Sequence, residues 1–490
     1  MKNLHSRRDF LQKTCVGATS LALARKLLYP IEGGESQLAS DNNRLYHERY
    51  RPQFHFTPRR NWTNDPNGLV YYKGEYHLFF QHNPKGINWG NMTWGHAVST
   101  DLMHWKQLPN AIEPDELGTI FSGSAVVDWN NTSGFKTGTE DVLVAFYTSA
   151  GAHAPVKVPF TQSIAYSNDR GRTWTKHKDN PVIGHIRANN RDPKVIWYEP
   201  TKSWIMALYL DQNDFALLGS KNLKQWEMLQ ELQLPGSREC PDFFELPVDD
   251  DPNDTRWVFW GANGRYLLGT FDGREFKPQS GPYESRIGNY YAAQTWSDIP
   301  EAGGRRIQIA WMAGGKFPGM PFNQQMSIPC ELTLRRFPEG IRLCRAPVRE
   351  IQKLRNLQYS LKDTPLSERQ SLPSDMSAEL FEIQTEIQPG SASEIGFDLR
   401  GSELIYNVTD KLLSCKGKKF RLQPVNGRIK LQILVDRTSI EVFSPDSWVS
   451  LHLCFPLDPD NNAVKPFARG GQAQIRSLKL WTLKSIWPRV

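Results

Sequence analysis

Four times between residues 99 and 276 the chain sets a Ser or Thr, an Asp or Asn two positions on, and an aromatic ring shortly after. The copies are Ser99-Thr100-Asp101 before Trp105, Ser167-Asn168-Asp169 before Trp174, Ser220-Lys221-Asn222 before Trp226, and Thr270-Phe271-Asp272 before Phe276. The rings lie 69, 52 and 50 residues apart (105 to 174, 174 to 226, 226 to 276). A period near 50 residues, each unit carrying one turn and one ring, is a propeller-like repeat. Each unit would be a small antiparallel blade, with the turn opening its outer hairpin. From about residue 45 the surrounding sequence has short apolar stretches split by Gly, Pro, Asn and Asp. Val70-Tyr71-Tyr72, Lys73-Gly74 and Tyr76 to Phe80 read as a hairpin. Unrelated hairpins could share the same turn chemistry, but four spaced copies favour repeats.

Long helical periodicity is almost absent before residue 348. Val348 to Leu361 reads as a short helix or an irregular connector, and 362–377 is rich in Ser, Pro and charge. Beyond it, Glu379 to Ile387, Ile429 to Phe443 and Ile475 to Leu483 alternate apolar and polar residues, as half-buried strands do. The expected organisation is therefore all-β: a propeller over 45–347, a connector over 348–377 and a sandwich over 378–490.

Bulk composition narrows the function. Of 490 residues, 39% are hydrophobic, the level of a soluble globular protein. The net charge of +7 is mild for this length, and no basic block follows the N-terminus, which argues against nucleic-acid binding. Sixteen Trp serve either as repeated packing anchors, the simpler reading, or as stacking surfaces for flat ligands. The six cysteines, Cys15, Cys240, Cys330, Cys344, Cys415 and Cys454, form no C-x-x-C pair. Cys15 falls in the N-terminal segment described next, and the other five predict mostly free, buried thiols, with no metal site and no cofactor.

The first residues read as an address. Arg7-Arg8 precedes a short apolar run, Val16 to Ala24, that ends in Ala22-Leu23-Ala24. Twin Arg before such a run is the twin-arginine export pattern, predicting a signal over 1–24 and a periplasmic or extracellular destination. The run is too short to span a bilayer, so no integral membrane segment is expected in the mature protein. A basic amphipathic helix is the alternative. Export of an already folded chain agrees with free thiols. Polar residues 25–44 read as a linker.

Three acids stand before predicted strands: Asp65 in Asn61-Trp62-Thr63-Asn64-Asp65-Pro66-Asn67-Gly68, Asp192 in Arg191-Asp192-Pro193, and Glu239 in Arg238-Glu239-Cys240-Pro241-Asp242. Singly, each is ordinary turn decoration. Together they fall in different blades, and inner propeller strands converge on one channel. Carboxylates brought together repel, which raises one pKa and leaves another group ionised. That split supplies the acid and the nucleophile of glycoside cleavage.

Trp62 to Gly68, Arg191 to Pro193 and Glu239-Cys240 resemble the three signature blocks of glycoside hydrolase family 32, which comprises invertases, inulinases and levanases. Leu78 to Pro84, Trp94 to Ala97, Phe121 to Ser124, Tyr290 to Thr295 and Pro321 to Met326 also resemble it, as does Val435 to Phe443 in the second unit. The likeness covers about residues 48–485. It implies a five-bladed propeller followed by a C-terminal sandwich. The fifth blade rests on this resemblance and would use Trp296 to Trp311 with the first strands.

The resemblance also implies roles. Asp65 would be the nucleophile, Glu239 the general acid/base and Asp192 the transition-state stabiliser, with Arg191 keeping Asp192 ionised. Asn64, Gln81, Trp89, Phe121, Ser122, Arg191 and Trp311 would line the fructose pocket, although Trp89 and Phe121 also read as core residues. One departure stands out: Thr63 replaces a larger apolar residue, often Met. Tyr291 to Thr295 and Phe322 to Met326 look more like microbial exo-levanases and exo-inulinases than plant invertases. The implied activity is release of terminal fructose from levan, inulin and sucrose. A fructosyltransferase would share every catalytic residue, and a non-catalytic fructan-binding protein would be expected to lack an acid.

Overall fold

Each repeated Ser-x-Asp turn joins the third strand of a blade to its fourth. Asp101 accepts from the backbone N–H groups of Met103 and His104 (3.1 and 2.9 Å), and Asp169 from those of Arg172 and Thr173 (3.0 and 2.9 Å). Asn222 and Asp272 do the same for the two residues that follow each by two and three positions. The side chain thus satisfies backbone donors the turn would leave orphaned. This geometry belongs to a computed structural model that describes residues 45–300, 304–368 and 376–488. The expected signal (1–24) and linker (25–44) lie outside the described residues. The described residues from 46 onwards form one compact unit.

Five four-stranded antiparallel blades follow in order. The inner strands are Asn61–Tyr72, Thr119–Asp128, Arg191–Tyr198, Asp242–Val248 and Tyr291–Thr295. Side chains alternate between the two faces of a strand, so each blade feeds both of its neighbours. On Val142–Ala150, Val142, Val144 and Phe146 join the cluster between blades two and three. Leu143, Ala145 and Tyr147 join the one between blades one and two. The repeated rings complete these seams, each against the preceding blade: Trp174 against one, Trp226 against two, Phe276 against three, and Trp105 against five. A buried ring contributes roughly 2–3 kcal/mol, which explains why the ring and the turn recur together.

The fifth blade differs from expectation. It comprises Tyr291–Thr295, Arg306–Trp311, Cys330–Phe337 and Gly340–Pro347, and takes no strand from the start of the chain. Asn61–Tyr72 is instead the inner strand of blade one. The outer hairpin of blade five closes tightly between Phe337 and Gly340 without a Ser-x-Asp turn, so the repeat has no fifth copy.

The sandwich pairs a seven-stranded with a six-stranded sheet around one aliphatic core. Part of the expected connector is strand. After a 3-10 turn at Arg349–Leu354, Arg355–Ser367 runs antiparallel to Gln472–Leu483 as a sheet edge. An edge strand exposes one face and one row of backbone, so its polar composition resembles that of a loop.

Arg286–Gly288, between blades four and five, pairs in parallel with Ser450–His452 and extends the sandwich sheet. A buried charge network reinforces that join. His55 lies between Asp436 (2.8 Å) and Glu441 (2.7 Å), and Glu441 also meets His452 (2.6 Å). Cys240, Cys330, Cys344, Cys415 and Cys454 are all free and buried.

Candidate active site

Propeller inner strands start at one mouth and end at the other. Asp65 lies early on the first, Asp192 is second on the third, and Glu239 falls just before the fourth. All three line one cavity of about 400 Å³. So do the other seven sequence-predicted residues: Asn64, Gln81, Trp89, Phe121, Ser122, Arg191 and Trp311. Trp89 is 49% exposed, so it is a rim residue and not part of the core.

The backbone bends to achieve this. Asp192, Glu239, Cys240 and Ala292 have φ of 64°, 43°, 42° and 52°. Left-handed backbone is costly for residues with a Cβ and gathers at functional sites. In blade one the pairing register shifts on both sides of Pro66 and Asn67. Gly68 completes that irregularity with φ +53°, where a Cβ would come within 2.5 Å of the Phe79 ring.

Around the acids the donors are unevenly shared. Ser122 Oγ donates to Asp65 Oδ2 at 2.6 Å. The Cys240 backbone N–H donates to Asp192 Oδ2 at 3.0 Å, and its thiol lies 3.4 Å from Asp192 and 3.6 Å from Asp65. Arg191 donates to Glu239 Oε2 through Nη2 (2.7 Å) and Nε (3.2 Å), and Tyr291 donates its hydroxyl proton to Glu239 Oε1.

Arg191 was expected to keep Asp192 ionised. It does sit 3.7 Å away and pulls that pKa down, but its hydrogen bonds go to Glu239 and the Asn189 carbonyl. Burial dominates and leaves Asp192 raised, with Glu239 and Asp65 pushing the same way. Burial also lifts Asp65 to about 6, against the pull of the Ser122 hydroxyl and with repulsion from Glu239. Glu239 is the accessible member, its side chain 27% exposed against 3% for Asp192.

Tyr291, His153, Phe160, Asn189 and Met92 also face the cavity and escaped the sequence reading of the site. Tyr291 carried the signal of the acids, because it begins an inner strand. His153 sits on a single 3-10 turn and reaches Trp89 and Phe121 by ring contacts of 5.6 and 5.5 Å, which no local pattern announces. Behind the wall, Gln324 accepts from Trp311 Nε1 at 3.0 Å, and its neighbour Gln325 accepts from Thr438 of the sandwich at 2.6 Å.

Acids of unequal exposure in an aromatic-walled cavity at a propeller mouth have the layout of a glycoside hydrolase. The particular kind follows from comparison with known proteins. This chain belongs to glycosyl hydrolase family 32: the profile of that family's N-terminal domain matches residues 55–347 and that of its C-terminal domain residues 350–482. It is 43% identical to a levanase of Bacillus subtilis (strain 168), over 92% of this chain and 72% of the relative. A levanase of Bacillus sp. (strain L7) is 33% identical over 90% of this chain, which spans 53% of that relative. Among solved structures, the exo-inulinase of Aspergillus awamori superposes with a TM-score of 0.82 at 31% identity, covering 90% of this chain and 100% of that one.

Proposed function

We propose that this protein releases terminal β-D-fructose from the non-reducing ends of fructans and from sucrose, with retention of configuration. The observation that carries this reading is the convergence of three carboxylates with different partners in one cavity: Asp65 accepts from Ser122, Asp192 from the Cys240 backbone N–H, and Glu239 from Arg191 and Tyr291. Asp65, as carboxylate, attacks the anomeric carbon of the fructosyl unit. Glu239 gives its proton to the departing oxygen. It then takes a proton from the water that frees the fructosyl group from Asp65. Asp192 holds sugar hydroxyls through bonds that strengthen as positive charge grows on the ring. Arg191 and Tyr291 fix the carboxyl of Glu239 from both oxygens.

Levan and inulin both fit this reading, as the named relatives include levanases and an extracellular exo-inulinase. The protein would act outside the cytoplasm, reached through the twin-arginine signal of residues 1–24. Incubation with levan, inulin and sucrose, beside Asp65→Asn, tests the activity by product chromatography. Fructose from the first time point, absent in the variant, is expected. Oligomers appearing first would replace the exo reading with endo cleavage, growing oligomers would replace it with transfer, and no turnover of any sugar would refute it.

A further inference from the structure

The inner strands that begin at the catalytic mouth end at a second cavity. Arg191–Tyr198 runs from one to the other, about 23 Å at roughly 3.3 Å per residue. Between the mouths, Lys194 Nζ donates to the Thr295 carbonyl at 2.6 Å and pairs with buried Asp242 at 3.3 Å. The second cavity holds about 820 Å³, within the range of small-ligand sites.

Its walls pair rings with planar polar groups. Trp197 is half-buried, its indole N–H donating to Glu199 at 2.5 Å. Tyr198 stands beside it, and Arg306, Asp298 and Glu245 supply donors and acceptors. The Arg306 guanidinium lies 5.3 Å from the Phe244 ring centre and makes no hydrogen bond to any described residue. A guanidinium left with open donors at a cavity wall suits a ligand with acceptors to offer.

Charge argues against an anion. Three lining acids, Glu199, Glu245 and Asp298, face Arg305 and Arg306, and Arg305 is already paired with Glu331 and Glu350. A neutral polyol fits better. Carboxylates and a guanidinium bind its hydroxyls, and rings stack on its C–H faces. The catalytic cavity uses the same combination in Asp192, Arg191 and Trp89.

We infer that this second mouth binds an internal segment of a fructan, holding the polymer while the catalytic mouth takes chain ends. The inference rests on the fructan reading above. Two attachment points on one polymer raise effective concentration without new chemistry, so the benefit appears on polymer and not on sucrose.

The test uses affinity electrophoresis in gels containing levan or inulin, with dextran as the control. Asp65→Asn keeps the polymer intact, and Trp197→Ala and Arg306→Gln are added to it separately. Retardation in fructan gels should fall at least severalfold in both double variants. In the active background the same two substitutions should leave kcat/KM on sucrose within about twofold and raise KM on the polymer. Fructan retardation equal to that of Asp65→Asn would overturn the site. Sucrose and fructan turnover by the unmodified protein tests the parent reading separately. If neither variant folds, hydrogen exchange on Asp65→Asn with inulin decides. Slowed exchange in peptides covering 196–200 and 244–247 supports the site, and protection confined to the catalytic mouth refutes it.

Discussion

Two groups of acids are set into the body of this molecule, and their environments push them in opposite directions. At the catalytic mouth, burial raises Asp65 to about 6 and raises Asp192, because Ser122 and Arg191 only partly offset it. At the join between propeller and sandwich, burial would likewise raise Asp436 and Glu441. There His55 and His452 overcome it, so Asp436 is lowered and Glu441 falls to about 2. Burial alone would lower His55, but its hydrogen bonds to both acids lift it to about 9. Full compensation makes a structural clamp. Withheld compensation makes carboxyls that exchange protons near neutral pH, which catalysis needs and folding does not.

The sharpest way to break that comparison is to remove one acid from each side. With Asp65 in the nucleophile role proposed above, Asp65→Asn should lower turnover by at least about 10⁴-fold. It should also raise thermal stability at pH 7. The wild-type pKa is raised on folding, so the ionised form disfavours the native state above about pH 6 and the penalty fades as pH falls towards 3.8. Turnover and melting temperature on one preparation check both. Unchanged stability would mean that burial of Asp65 carries no such cost.

Next in size is the clamp. His55→Gln leaves two buried carboxylates short of a cation, and losses of this kind cost about 3–5 kcal/mol. Chemical denaturation at pH 6 should show that loss. The pH dependence has a definite sign. The contribution of His55 is complete below about 6.5, its unfolded value, and is lost as pH rises through about 9. That of Glu441 is complete above 4.5 and lost as pH falls towards 2. Wild-type stability should therefore hold between those limits, and the variant should lose the alkaline step.

A finer pair of changes separates the roles of the catalytic acids. Ser122→Ala removes the hydroxyl that favours ionised Asp65, so the acidic limb of kcat/KM, expected near pH 6, should move up by about one unit. Tyr291→Phe removes a donor that fixes the carboxyl of Glu239 and should lower kcat/KM while leaving that acidic limb in place. An acidic limb that moved in Tyr291→Phe as well would mean that the two changes act on one coupled group of acids.

What the sequence revealed follows the range of the interactions. The four Ser-x-Asp turns bond within five residues, and each acid sits at a strand start, so both were legible. The fifth blade was hidden because its hairpin uses another turn. The placing of Arg286–Gly288 in the sandwich sheet depends on Ser450–His452, more than 160 residues away, and leaves no local trace. His55 is the same case: its partners Asp436 and Glu441 lie in a block recognised only by resemblance. Tyr291 also begins an inner strand, but a tyrosine at a strand start carries none of the charge that marks the three acids.

Thr63, two residues before Asp65, gives the smallest effect. It is wholly buried, and its Oγ1 has no hydrogen-bond partner among the described residues. A buried hydroxyl without a partner costs about 1–3 kcal/mol relative to an apolar group of the same shape. Thr63→Val keeps the shape and removes the polar atom, so it should stabilise the protein by about 1 kcal/mol. If Thr63 only fills space, kcat/KM should stay within about twofold and the acidic limb of the pH profile should hold. A fall in kcat with unchanged KM would instead mean that this hydroxyl helps set the turn that presents Asp65. The blade-one irregularity would then belong to the catalytic side of the comparison and not to the packing side.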